Sequence, residues 1–90
     1  MEMNPMNFGD ALALLKDGKR VMREGWNGKD KYLMYIDPYN NDQYGIVEEE
    51  TIVGTLARYI AIKNADNLLV PWAPSQTDVL FDDWYEVACG

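Results

Sequence analysis

The chain has 90 residues, 48% of them hydrophobic and 26% charged, with a formal net charge of −7. That length suits a single domain, residues 1–90, with a modest core, and the composition excludes a disordered chain. No apolar run nears the ~20 residues of a membrane span, and the acidic balance argues against gripping a nucleic-acid backbone.

The N-terminal stretch MEMNPMNFGD lacks a basic segment followed by an apolar one, so no secretory signal is expected and a cytoplasmic setting is. The stretch after it, NFGDALALLKDGKRV, reads as a short helix. Phe8, Ala11, Leu12 and Leu15 follow the i, i+3, i+4, i+7 spacing of one apolar face. Asn7 suits the cap, Asp10 the first turn and Gly18 the stop.

Next, KRVMRE and KYLMYI flank Trp26-Asn27-Gly28. Asn-Gly is a strong hairpin-turn signal. A two-residue loop there pairs Trp26 with Lys29 and Arg23 with Tyr32. Strand alternation then puts Trp26, Glu24 and Met22 on one face and Arg23 and Val21 on the other. A tryptophan beside a tight turn either folds back onto a core or is displayed for a partner to stack on.

Residues 37–45, DPYNNDQYG, are rich in turn formers and read as a loop. VEEETIVGTLARY mixes helix-opening glutamates with β-branched residues and Gly54, and has no single reading. YIAIKNADNLLVPW reads as a second hairpin turning at Asn64 to Asn67, with Pro71 ending its pairing or marking an edge. SQTDVLFDD reads as one helical turn, with Ser75 and Asp78 approximating a capping box. WYEVA is a last strand, and its Trp84 is taken as core. The expected fold is α+β: an N-terminal helix with a small, mostly antiparallel sheet of about five strands.

The residue inventory narrows the chemistry. There is no histidine, which removes the commonest general base and the usual zinc ligand sets. The single cysteine, Cys89, excludes an internal disulfide. The acidic groups Glu48–Glu50 and Asp82-Asp83 lack the spacing of a calcium loop or of a catalytic pair. Carboxylate or lysine chemistry stays open, but an enzyme starts at a disadvantage, and no catalytic residue, metal site or cofactor is expected. Of the eight basic residues, six (Lys16, Lys19, Arg20, Arg23, Lys29, Lys31) lie in residues 1–36, against five acidic ones there. That leaves room for a compact anion near this part of the chain, although most of these charges read as a solvated face.

Two stretches have the parts of a nucleotide site. One is Trp26 at its turn. The other is VPWAPSQTD, in which Pro71 and Pro74 bracket Trp72 and restrict its neighbours. A tryptophan in a stiff loop is pre-organised for binding, and a helix start follows it, with the hydroxyl and amide groups of Ser75, Gln76 and Thr77. An indole stacks on a base, an Arg or Lys holds phosphate, and Asp78 accepts from a ribose hydroxyl. Tryptophans in small sheet domains also serve as core or interface anchors, and Ser75 and Asp78 also serve as simple caps.

These motifs in this order (MNFGDALALLKDGKRVMREGWNGK, VPWAPSQTD, DDWYEV) resemble the second Thoeris anti-defence family of bacteriophages. The likeness covers residues 6–29 and 70–87 well. It implies a phage sponge in the cytoplasm of the infected host. Members bind a cyclic ADP-ribose-type messenger made by a host TIR-domain protein without cleaving it, and some hold cyclic dinucleotides at a separate site. It further implies a homotetramer with ligand sites shared between protomers. Carried over, Trp26 and Trp72 contribute to the messenger pocket, with Arg23, Asn27, Ser75, Thr77 and Asp78 beside them. The alternatives are a module that binds a host protein, since displayed tryptophans also make interface hot spots, and, third, a nucleotide-cleaving enzyme.

Overall fold

The computed structural model describes residues 5–26, 30–38 and 57–88. Helix α1 (Phe8–Lys16) is followed by strand β1 (Arg20–Arg23), a 3-10 turn (Glu24–Trp26) and β2 (Tyr32–Ile36). After these come β3 (Tyr59–Lys63), β4 (Leu69–Pro71), the short helix α2 (Gln76–Leu80) and β5 (Trp84–Val87). The strands form one antiparallel sheet in the order β4-β3-β2-β1-β5. The expected α+β architecture is thus the observed one.

Local chemistry accounts for the ends of α1. The Asn7 side chain accepts from the Asp10 N–H at 2.8 Å, which satisfies one of the donors that a helix start leaves over. At the far end Gly18 has φ +90°, a backbone that only glycine enters without strain, and Lys19 N–H turns back to the Leu14 carbonyl. The helix lays Ala11 and Leu15 over the centre of the sheet, against Val21, Leu33 and Trp84, and all five are fully buried. Register explains the choice of sheet partners. Val21 stands opposite Leu33, and Arg23 opposite Trp84, so these four side chains share the face under the helix. Met22, Ile36 and Ala61, buried as well, alternate onto the other face.

The second hairpin forms where the sequence places it. The Asn64 side chain accepts from the N–H groups of Asp66 and Leu68, and Asn67 takes φ 65°. Pro71 is the last residue of β4, at the sheet edge, where a missing N–H does least harm. The other edge is partly covered, because Met6 exchanges both backbone hydrogen bonds with Trp84.

The first hairpin differs from expectation. The pairing is Val21 with Leu33, one residue away from the register that would set Arg23 opposite Tyr32. A one-residue shift exchanges the faces of a strand. Nor does Trp26 extend the strand: β1 stops at Arg23, and Glu24–Trp26 coil into the 3-10 turn. The reason is a competing acceptor. Glu24 N–H donates to the Asp83 backbone carbonyl at 2.9 Å and Gly25 N–H to the Asp83 carboxylate at 3.0 Å, so the chain leaves β2 and follows β5. Asn27-Gly28 and most of 37–56 lie outside the described residues, and the readings of those stretches with them.

Candidate functional site

Three tryptophans and a phenylalanine meet on the helix side of the sheet. Trp84 is the hub, fully buried, with its Nε1–H donating to the Asp78 carbonyl at 2.8 Å. Trp26 meets it edge-on with centroids 5.4 Å apart, Trp72 edge-on at 5.9 Å, and Phe8 tilted at 5.3 Å. Edge-to-face contacts of this spacing add ~0.5–1.5 kcal/mol each beyond simple burial. Trp26 and Trp72 are only half-buried. They come from far apart in the chain and flank the same ring.

Next to this cluster lies an ionic clamp. Arg23 is 7% exposed. Its Nε and Nη2 donate to Oδ1 and Oδ2 of Asp83 at 2.8 and 3.2 Å, and its Nη1 donates to Asp78 Oδ1 at 2.9 Å. The fork on Asp83 is the two-pronged geometry that suits a guanidinium. The Phe81 ring lies 5.0 Å from the guanidinium carbon, a cation–π contact. Asp78 closes a capping box on α2: its Oδ2 accepts from Ser75 N–H at 2.9 Å, and its N–H donates to Ser75 Oγ at 3.1 Å. One arginine and two carboxylates leave a local charge of −1.

The sequence comparisons bear on what this arrangement is for. The model of the Thoeris anti-defense 2-like domain matches residues 6–87, which is nearly the whole chain. The chain belongs to this family. It is also similar to the Thoeris anti-defense 2 protein of Bacillus phage SP01, with 44% identity over 84 residues, covering 88% of this chain and 91% of that protein. Membership supports a phage anti-defence role. Among the described residues, no helix is long and apolar enough to cross a membrane.

Within this Thoeris anti-defense 2-like fold the residues singled out from sequence are distributed unevenly. Trp26, Trp72, Arg23 and Asp78 all gather round Trp84, although alternation along an ideal hairpin would send Arg23 and Trp26 to opposite faces. The 3-10 turn makes the difference, because it swings Trp26 back to the side that Arg23 occupies. Ser75 sits at the α2 cap, and Thr77 is exposed on α2, its carbonyl accepting from Phe81 N–H. Asn27 lies outside the described residues. At the α2 start the Ser75–Asp78 box caps the helix from within the chain, the simple-cap role that was the alternative for these two residues.

Sequence reasoning missed Asp83 and Phe81. One signal for them was present: Arg23 shares its strand face with the apolar Val21, and an arginine on a core-facing side is buried only if acids come to it. The spacing does not say which of the fifteen acidic residues those are.

The charges of the clamp respond to one another. Burial works to raise the Asp78 pKa, but the hydrogen bonds from Ser75 and Arg23 outweigh it and hold the group below its usual value. At Asp83 the Arg23 fork is the largest influence; with the Gly25 N–H it overcomes burial, again lowering the pKa. The Asp83 hydrogen bond is likewise the first cause that raises Arg23. A carboxylate whose folded pKa is depressed stabilises the fold above its unfolded pKa, and that contribution is lost as pH falls through the folded value. The expected result is stability that does not change on account of these two groups from neutral pH down to about 5, then falls below about pH 4, near the unfolded carboxylate pKa. Urea midpoints measured across that range check it; a loss setting in near pH 6 would contradict the clamp.

Proposed function

We propose that this chain is a sponge: it binds a cyclic ADP-ribose-type messenger without cleaving it and so withholds it from the host effector. The observation that carries the reading is the pair of half-buried indoles, Trp26 and Trp72, standing edge-on to one buried ring. Each keeps surface for a base, and Trp84 holds both in place. Family membership supports the anti-defence context. Asn27, Ser75 and Thr77 are the polar groups proposed beside the indoles. Arg23 and Asp78 spend their hydrogen bonds on each other and on Asp83 and Ser75, so in this reading they brace the pocket more than they contact phosphate. A chain without histidine suits retention better than cleavage. Cyclic dinucleotides at a second site belong to the same proposal.

A homotetramer acting in the host cytoplasm completes it. Leu68, Leu69 and Val70 at the sheet edge and Val79, Leu80 and Phe81 on and after α2 are exposed apolar residues, the kind of surface that subunit contacts cover. The test incubates the protein with a cyclic ADP-ribose isomer made by a TIR-domain enzyme, follows free ligand, then heats the mixture. Depletion followed by recovery of intact ligand is expected, with light scattering at about four times the 10.3 kDa chain. Trp26→Ala and Trp72→Ala should each weaken binding by ~1–3 kcal/mol, the usual worth of a stacked base. No depletion overturns the reading; recovery of a linear product makes the protein an enzyme instead.

A further inference from the structure

Asp83 does more than pair with Arg23. Its carboxylate accepts three hydrogen bonds, from Arg23 Nε, from Arg23 Nη2 and from the Gly25 N–H, while its carbonyl accepts a fourth from Glu24 N–H. The first two N–H groups of the turn that carries Trp26 therefore both end on one residue. Gly25 is drawn in so closely that a Cβ there would stand 3.1 Å from Arg23 Nη2 and 3.2 Å from Asp83 Oδ2. A methyl group there would require these two side-chain ends to give by a few tenths of an ångström. A three-residue 3-10 turn has poor internal hydrogen-bond geometry, so its shape depends on what it is tied to. Asp83 also leads directly into Trp84, the ring that Trp26 leans on.

We propose that Asp83 is a positioning residue: by holding Gly25 N–H and Arg23 together, its carboxylate sets the Trp26 indole edge-on to Trp84, in the orientation in which a base meets it. The proposal rests on the nucleotide-binding reading for its consequence and on the hydrogen bonds for its geometry. Without the tie, Trp26 and its turn would have to be ordered on each binding event, at ~0.5–1.5 kcal/mol, or roughly two- to tenfold in affinity.

The test compares Asp83→Asn with Asp82→Asn, which removes the same charge at an exposed neighbour. A third variant, Gly25→Ala, keeps every charge and crowds the contact between the turn and the carboxylate, since its Cβ would lie 3.2 Å from Asp83 Oδ2. Three quantities are read: affinity for the cyclic ADP-ribose isomer by calorimetry, melting temperature, and the part of the indole exciton band in circular dichroism that Trp26→Phe removes. Asp83→Asn and Gly25→Ala are expected to diminish that band and weaken binding roughly two- to tenfold, with Asp82→Asn changing neither. In a Trp26→Ala background Asp83→Asn should lose little further affinity, because the two act through one group. Fully additive losses, or an unaltered band in Asp83→Asn and Gly25→Ala, overturn the proposal. If Asp83→Asn does not fold, Gly25→Ala carries the decision. If the wild-type protein binds no cyclic ADP-ribose isomer, the functional reading fails, and the exciton band still decides whether Asp83 positions Trp26.

Discussion

Trp84→Ala is expected to lower the unfolding free energy by ~3–5 kcal/mol, the usual effect of emptying a buried aromatic site. Domains of this size hold ~5–15 kcal/mol in total, so the variant should keep a much smaller margin and unfold at a clearly lower denaturant concentration. The size of the effect follows from what Trp84 touches. It is fully buried under α1, is flanked by Phe8, Trp26 and Trp72, and satisfies its Nε1–H on the Asp78 carbonyl. Its backbone also pairs with Met6 and stands opposite Arg23. Denaturant unfolding of Trp84→Ala beside Trp72→Ala measures the difference. Trp72, half-buried, should lose clearly less stability, and a larger loss there would move the hub from Trp84 to Trp72.

Arg23→Met should be the second large effect. Methionine fits the volume of the arginine stem but leaves Asp78 and Asp83 facing each other without a cation. Removing one partner of a buried ion pair destabilises by ~3–5 kcal/mol, because the charge left behind is uncompensated. Arg23→Lys keeps the charge and loses the fork, so a smaller loss is expected. The acid limb tests the same point. With Arg23 gone, the two carboxylates lose one of the influences that hold their pKa values down and keep the hydrogen bonds from Ser75 and Gly25, so the acid-limb loss of stability should be smaller in Arg23→Met than in wild type. A variant that melts like wild type yet binds no messenger would show instead that Arg23 serves the ligand and not the fold.

Much of the architecture was open to reading because it depends on neighbours in the chain. Asn7, Asp10 and Gly18 shape α1 within a few residues of themselves. Asn64 and Asn67 do the same for the second hairpin, and Ser75 with Asp78 for α2. Each interaction spans at most five residues along the chain, so spacing alone reveals it. The first hairpin shows where this stops. Asn27-Gly28 carries a strong local turn signal, yet the strand before it ends early because Asp83, distant in sequence, takes the N–H groups of Glu24 and Gly25. These tertiary hydrogen bonds end the strand that simple alternation would continue to Trp26, and they carry the Trp26 side chain across to the Arg23 face.

By itself, then, the sequence determined the helix, the strands, the edge position of Pro71, the burial of Trp84 and, through its linked motifs, the family. These follow from periodicity, caps and side-chain type, which act over short range. Only the tertiary structure decided which acids serve Arg23, on which face Trp26 lies, and that Trp26 and Trp72 share one ring. Those outcomes depend on β5 pairing with β1 across some sixty residues of chain. Nothing in local spacing records which distant carboxylate or indole that pairing will bring into reach.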